Sequence, residues 1–296
     1  MTSAATTADA PQSLWDLQAE LGEGPVRVER DRSLWFVDIK KHEIHRFQPD
    51  TGAKQSWNAP EQVGFILPAE GGGFVAGLQS GLYRFDEKDG SFSLIVEVEP
   101  DLPDNRLNDG VADINGRLWF GTMDNGERAK SGAFYCFHEG KLSRTELGGI
   151  AITNGPAVSP DGKLLYFVDT LKGTIEVADI ADNGSLENRR PFVRIDPKDG
   201  HPDGPTIDAE GYLWIALYAG HEARRYSPAG ELVQTVRFPV SNITKVALGG
   251  DELRTAYATS ARQHLKPEAI AKEPLIGALF EFPVDVPGVP SPLVRL

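Results

Sequence analysis

Four segments of this 296-residue chain set oxygen-bearing side chains beside glycine at matching places. Three share one tripeptide form, Glu23-Gly24-Pro25, Asn154-Gly155-Pro156 and Asp203-Gly204-Pro205, and Asn108-Asp109-Gly110 is a variant of it. Glu23, Asn154 and Asp203 together offer two carboxylates and an amide carbonyl, with no thiolate and no imidazole. That donor set suits one hard divalent ion and leaves further positions to water or substrate. The two carboxylates also form an uncompensated negative site that a cation would relieve. An ion held there would polarise a carbonyl and take up negative charge as water attacks it. Asn and Asp also cap tight turns for purely local reasons. Glutamate is a poor turn residue, however, and three such segments in register favour a shared site.

These residues are far apart in sequence, so a repeat must bring them together. Apolar or aromatic strands recur around Trp35, Phe74, Trp119, Tyr166, Trp214 and Tyr257, at steps of 39, 45, 47, 48 and 43 residues. That spacing is the length of a propeller blade. Asp113-Ile114-Asn115-Gly116, Ser159-Pro160-Asp161-Gly162 and Asp208-Ala209-Glu210-Gly211 each stand just before an anchor strand and carry hairpin-turn chemistry. The chain therefore reads as all-β: a six-bladed β-propeller forming a single domain over residues 14–296, behind a loose tail at 1–13. The strands near Leu14–Leu17 and Leu279–Val284 are expected to pair and close the ring, which removes exposed sheet edges. Only Pro267–Lys272 has room for a turn of helix. Glu23, Asn154 and Asp203 precede their anchors by 12, 12 and 11 residues, and Asn108 precedes Trp119 by 11. One place in the repeat means one level in the ring, so these four should converge at a rim of the central channel.

Composition narrows the partners. A net charge of −13 disfavours nucleic acid, which needs a basic face. Its one cysteine, Cys136, excludes a disulfide framework, fits the cytoplasm and reads as a small buried residue. No apolar stretch is long enough to cross a bilayer, so no membrane partner is expected. Residues 1–13 carry no basic residue and no apolar segment of signal-peptide type. Histidine gives no ligand spacing: His42-Glu43-Ile44-His45 is not H-E-x-x-H. His201 lies two residues from Asp203 and is expected in solvent, and no G-x-S-x-G elbow occurs. Trp119 and Trp214 are read as core.

The segments Leu21-Gly22-Glu23-Gly24-Pro25, Arg106-Leu107-Asn108-Asp109, Gly116-Arg117-Leu118-Trp119-Phe120-Gly121-Thr122-Met123, Ile152-Thr153-Asn154-Gly155-Pro156 and Pro202-Asp203-Gly204 resemble the SMP-30/gluconolactonase/regucalcin-like family, in the family's order and over nearly the whole chain. Within it the chain is most similar to bacterial sugar lactone lactonases of the xylonolactonase type. The resemblance implies metal ligands at Glu23, Asn154 and Asp203, the residues the repeat also selects. It implies substrate contacts at Arg106 and Asn108, and a further acidic contact for which Asp124 and Glu127 compete. The implied cofactor is one divalent ion, calcium, zinc, manganese or iron(II).

On this reading the chain is a carboxylic-ester hydrolase that opens an aldonolactone, with a pentonolactone such as xylonolactone favoured. Asp203 serves as general base for the attacking water, while Arg106 and Asn108 hold the polyol. Tyr218 ends a strand that returns toward the same rim. The partner is a small-molecule sugar lactone, and the protein is expected to be a monomer or weak homo-oligomer. Two other readings use the same scaffold: a non-catalytic propeller binding a ligand or protein, and an esterase or phosphotriesterase with a more apolar pocket. Arg106 has a bland alternative too, an ion pair with Asp104 or Asp109.

Overall fold

The structure is a computed structural model and describes residues 10–296. Most of the tail expected at 1–13 lies outside the described residues. Its end is strand: Gln12–Trp15 pairs antiparallel with Leu279–Pro283, so the first strand of the described chain is clasped by the last.

Every anchor of the sequence repeat falls on a strand of an antiparallel meander: Ser33–Asp38, Phe74–Leu78, Leu118–Asp124, Leu164–Asp169, Leu213–Tyr218 and Thr255–Ser260. Each of these pairs with the strand before it, and those preceding strands line the middle of the molecule. They are Gly22–Val28, Val63–Pro68, Asn105–Ala112, Thr153–Val158, His201–Ile207 and Ile243–Gly249. Each packs against the next around a central channel, and Ile243–Gly249 packs against Gly22–Val28. The architecture is an all-β propeller.

The expectation of a six-bladed propeller is corrected. Four blades stand alone as four-stranded sheets, beginning at Gly22, Val63, Asn105 and Thr153. The other eight strands form one continuous sheet. The cause is a parallel bridge between Gly204 and Lys245 that ties two inner strands into one ladder. Only glycine permits so close an approach: a Cβ at position 204 would lie 2.6–2.7 Å from the Lys245 stem.

Apolar side chains on alternate strand positions fill the spaces between sheets. Trp35, Trp119 and Trp214 are almost completely buried there, as core residues rather than sugar platforms. Cys136 is half-buried on the strand Gly132–His138, and burial pushes its thiol up to about 12. Pro267–Ile270 forms the short helix. Among the described residues no helix is long and apolar enough to cross a membrane.

Candidate active site

The inner strands carry their polar residues at bulges. Register slips between Glu23 and Val26, Leu107 and Gly110, Asn154 and Ala157, and Pro202 and Pro205. At each slip two residues oppose one on the neighbouring strand, which twists the backbone and re-aims side chains. This explains the X-Gly-Pro form. Proline has no N–H to give to a ladder and is tolerated where the ladder is interrupted, and Gly155 takes a left-handed φ of 75° there.

The re-aimed side chains line one cavity of about 280 Å³ at the channel end where the inner strands begin. Glu23, Arg106, Asn108, Glu127, Asn154 and Asp203 all contribute to it. Five of them are buried, with Glu127 nearer solvent. Arg106 donates from one guanidinium nitrogen to Asn108 Oδ1 at 2.6 Å and to the Leu107 carbonyl at 3.2 Å. Asn108 Nδ2 donates to the Thr153 carbonyl and to Asn154 Oδ1, at 2.5 and 3.1 Å. Asn154 Nδ2 donates to the Thr170 hydroxyl at 2.9 Å, so a chain of bonds runs from Arg106 to Thr170. Arg106 pairs with neither Asp104 nor Asp109. Its Nε has no partner among the described residues, which leaves an N–H unpaired in the buried wall.

Charge is crowded here. Burial, with Asp109 next, pushes the Glu23 carboxyl up to about 7. Burial, then Glu23 and Asp109, holds Asp203 well above the usual carboxylate range. Glu23 receives one backbone bond, from Gly24 at 2.8 Å. Two buried carboxyls that repel each other, beside an amide oxygen, form a site that a divalent cation would neutralise. No group of three His, Cys, Asp or Glu side chains placed to hold a metal ion occurs among the described residues. Glu23, Asn154 and Asp203 instead bring two carboxyls and an amide to one cavity, a mixed oxygen-donor set that would fit a hard ion.

The two acids expected to compete for a substrate contact are placed differently. Asp124 accepts from the backbone N–H groups of Gly126, Arg128 and Ala129 at 3.1, 2.8 and 2.8 Å, and of the two only Glu127 lines the cavity. Those bonds hold Asp124 below the usual carboxylate range. They also shape the turn that carries Glu127, at a left-handed φ of 59°, to the cavity wall.

His201 and Tyr218 line the cavity as well. His201 is half-buried there, where solvent was expected. Gln263 and His264 are additions that sequence reasoning missed, because they follow the last anchor strand in a loop outside the repeat. Gln263 Nε2 donates to Glu127 Oε1 at 2.9 Å, and His264 lies 3.4 Å from Oε2. The Tyr218 hydroxyl donates to the Gln263 carbonyl. A buried ion pair was also missed: Lys245 Nζ lies 2.6 and 2.7 Å from the two oxygens of Asp109. A signal for it existed, since Lys245 stands 12 residues before Tyr257, the spacing that selects Glu23 and Asn154.

Fold and site together define a β-propeller with a carboxylate-lined pocket at one mouth of its channel. The SMP-30/Gluconolactonase/LRE-like region matches residues 21–262, and the chain belongs to that family. It is similar to L-arabinolactonase of Azospirillum brasilense, 38% identical over 271 residues and covering 90% of this chain and 89% of that one. It is also similar to 6-deoxy-6-sulfogluconolactonase of Pseudomonas putida, 33% identical over 276 residues, with 92% and 94% covered. Among solved structures, a calcium-binding regucalcin from Agrobacterium tumefaciens is similar over 100% of both chains, with a TM-score of 0.94 at 29% identity.

Proposed function

We propose that this chain is a divalent-metal-dependent sugar lactone lactonase that opens a pentonolactone to its aldonic acid. The observation that carries the reading is the convergence of Glu23, Asn154 and Asp203 with Arg106, Asn108 and Glu127 in one small cavity. Lactone hydrolysis is supported by the activities named for the relatives from A. brasilense and P. putida. The pentonolactone preference is supported by the arabinolactonase at 38% identity. Calcium, zinc, manganese and iron(II) all suit a site of hard oxygen donors. A single cysteine supports a cytoplasmic location.

In this mechanism Glu23, Asn154 and Asp203 would hold the ion, whose contribution when bound would be Lewis-acid polarisation of the lactone carbonyl. Arg106 keeps its charge at neutral pH although burial pulls it down to about 10, and it binds ring or hydroxyl oxygens. Glu127, at the wall, accepts from a sugar hydroxyl. Asp203 takes a proton from water as the water oxygen bonds to the carbonyl carbon. Collapse breaks the ring C–O bond, and the proton passes to the departing ring oxygen, giving the hydroxy acid.

The test is proton release from fresh xylonolactone, arabinolactone and gluconolactone, corrected for spontaneous opening, with and without chelator. Acceleration that chelator removes and a divalent ion restores is expected, fastest on a pentonolactone. No acceleration with any ion would leave a binding propeller.

A further inference from the structure

Beneath the two crowded carboxyls lies a cation that belongs to neither of them. The Lys245 ammonium is buried and donates to both oxygens of Asp109. Asp109 also accepts from the backbone N–H of Gly110 at 2.8 Å and of Gly155 at 3.1 Å. Four hydrogen bonds from three donor groups thus converge on one carboxylate, and one of them comes from the residue next to Asn154. The Lys245 stem is pinned as well: it occupies the space a Cβ at Gly204 would need, beside the turn that carries Asp203. Both Glu23 and Asp203 feel the Lys245 charge. A buried ammonium with no acceptor is strongly unfavourable and turns to the nearest anion. Besides Asp109, the carboxyls close enough to feel that ammonium include Glu23 and Asp203.

We infer that Asp109 reserves the cation site: by binding Lys245 it keeps the ammonium off Glu23 and Asp203, leaving those carboxylates for a divalent ion. Asp109 and Lys245 are positioning residues in this scheme and do not touch the substrate. The inference rests on the metal reading proposed above.

Calorimetric titration of the chelator-treated full chain with calcium chloride and with manganese chloride tests it, with thermal melting run alongside. Asp109→Asn frees Lys245 to pair with the ligand carboxylates, and affinity should fall by at least about tenfold, as expected for a charge competing at close range. The double variant Asp109→Asn/Lys245→Met removes the competitor, and affinity should return to within about threefold of the wild type, the signature of coupled neighbours. A merely structural pair predicts the opposite, since losing both members would not restore binding. Should Asp109→Asn fail to fold, Lys245→Met alone decides. It leaves Asp109 as added negative charge near the site, so binding should tighten by about threefold or more. Wild-type affinity in Asp109→Asn, no recovery in the double variant, or weaker binding in Lys245→Met would each overturn the inference. A wild type that takes up neither ion would sink the metal reading first and this inference with it.

Discussion

Buried carboxylates stand at both ends of the inner hairpins, and the two ends treat them oppositely. At the hairpin turns, Asp113 accepts from Asn115 N, Arg117 N, Arg117 Nε and Trp119 Nε1, all within 3.0 Å. Asp208 likewise accepts from Glu210 N, Tyr212 N and Arg225 Nε, at 3.0, 3.1 and 2.7 Å. Those acids are fully paired and do nothing but hold a turn. At the other end, Glu23 and Asp203 face each other and Asp109, with few donors and raised proton affinity. Burial is alike at both ends, below one-tenth exposed in all four. What separates Glu23 and Asp203 from Asp113 and Asp208 is therefore the count of donors each receives, and Asp109, fully paired, stands with the latter. Each end also carries a cavity. The one at the turn end, about 340 Å³, is lined by apolar residues such as Ile66, Val111 and Leu248 together with Arg27, Asp113 and Lys245. The one at the other end is lined by Glu23, Glu127 and Asp203.

The sharpest break of that comparison is to neutralise one acid at each end. Asp203→Asn should lower turnover at least about 100-fold, the usual worth of a positioned base. In chelator, the same variant should melt at or above the wild type, because removing one of two repelling buried carboxylates relieves the folded state. A variant that kept its turnover would refute the assigned base. A large drop in melting temperature would show that Asp203 serves the fold. Asp208→Ala should do the reverse. It strands Arg225 and two backbone N–H groups, costing roughly 3 kcal/mol, while kcat of the folded fraction stays at the wild-type value. Urea unfolding with activity measured in the baseline separates the two effects.

Much of this division was legible in the sequence, and the rest was hidden for physical reasons. Local chemistry shows in local text: turn acids sit beside glycine, and X-Gly-Pro announces an interrupted ladder. Counting back from the anchors brought Glu23, Asn108, Asn154 and Asp203 to one level. The even spacing could not reveal that two inner strands fuse into one sheet, because the fusion depends on a missing Cβ at Gly204 meeting Lys245. Nor could it separate Asp124 from Glu127. Both lie on one short loop, and their roles depend on which carboxylate the loop's own N–H groups capture. Gln263 and His264 were illegible, since the loop holding them lies outside the repeat.

The smallest expected effect settles that loop. Glu127 is held from across the mouth by Gln263 and His264, with its carboxylate at the cavity wall. Glu127→Gln keeps its shape but removes the charge that strengthens an accepted hydroxyl bond, a loss of about 1.5 kcal/mol. It should raise KM roughly tenfold with kcat little changed, because a hydroxyl contact is made equally before and during the reaction. Asp124→Asn weakens three backbone bonds within the loop and should raise KM less than Glu127→Gln does, through looser placement of Glu127. Steady-state kinetics of both variants on one pentonolactone make the comparison. If Asp124→Asn raises KM more, the loop rearranges when substrate binds, and donor count in the free protein is not what distinguishes the two acids.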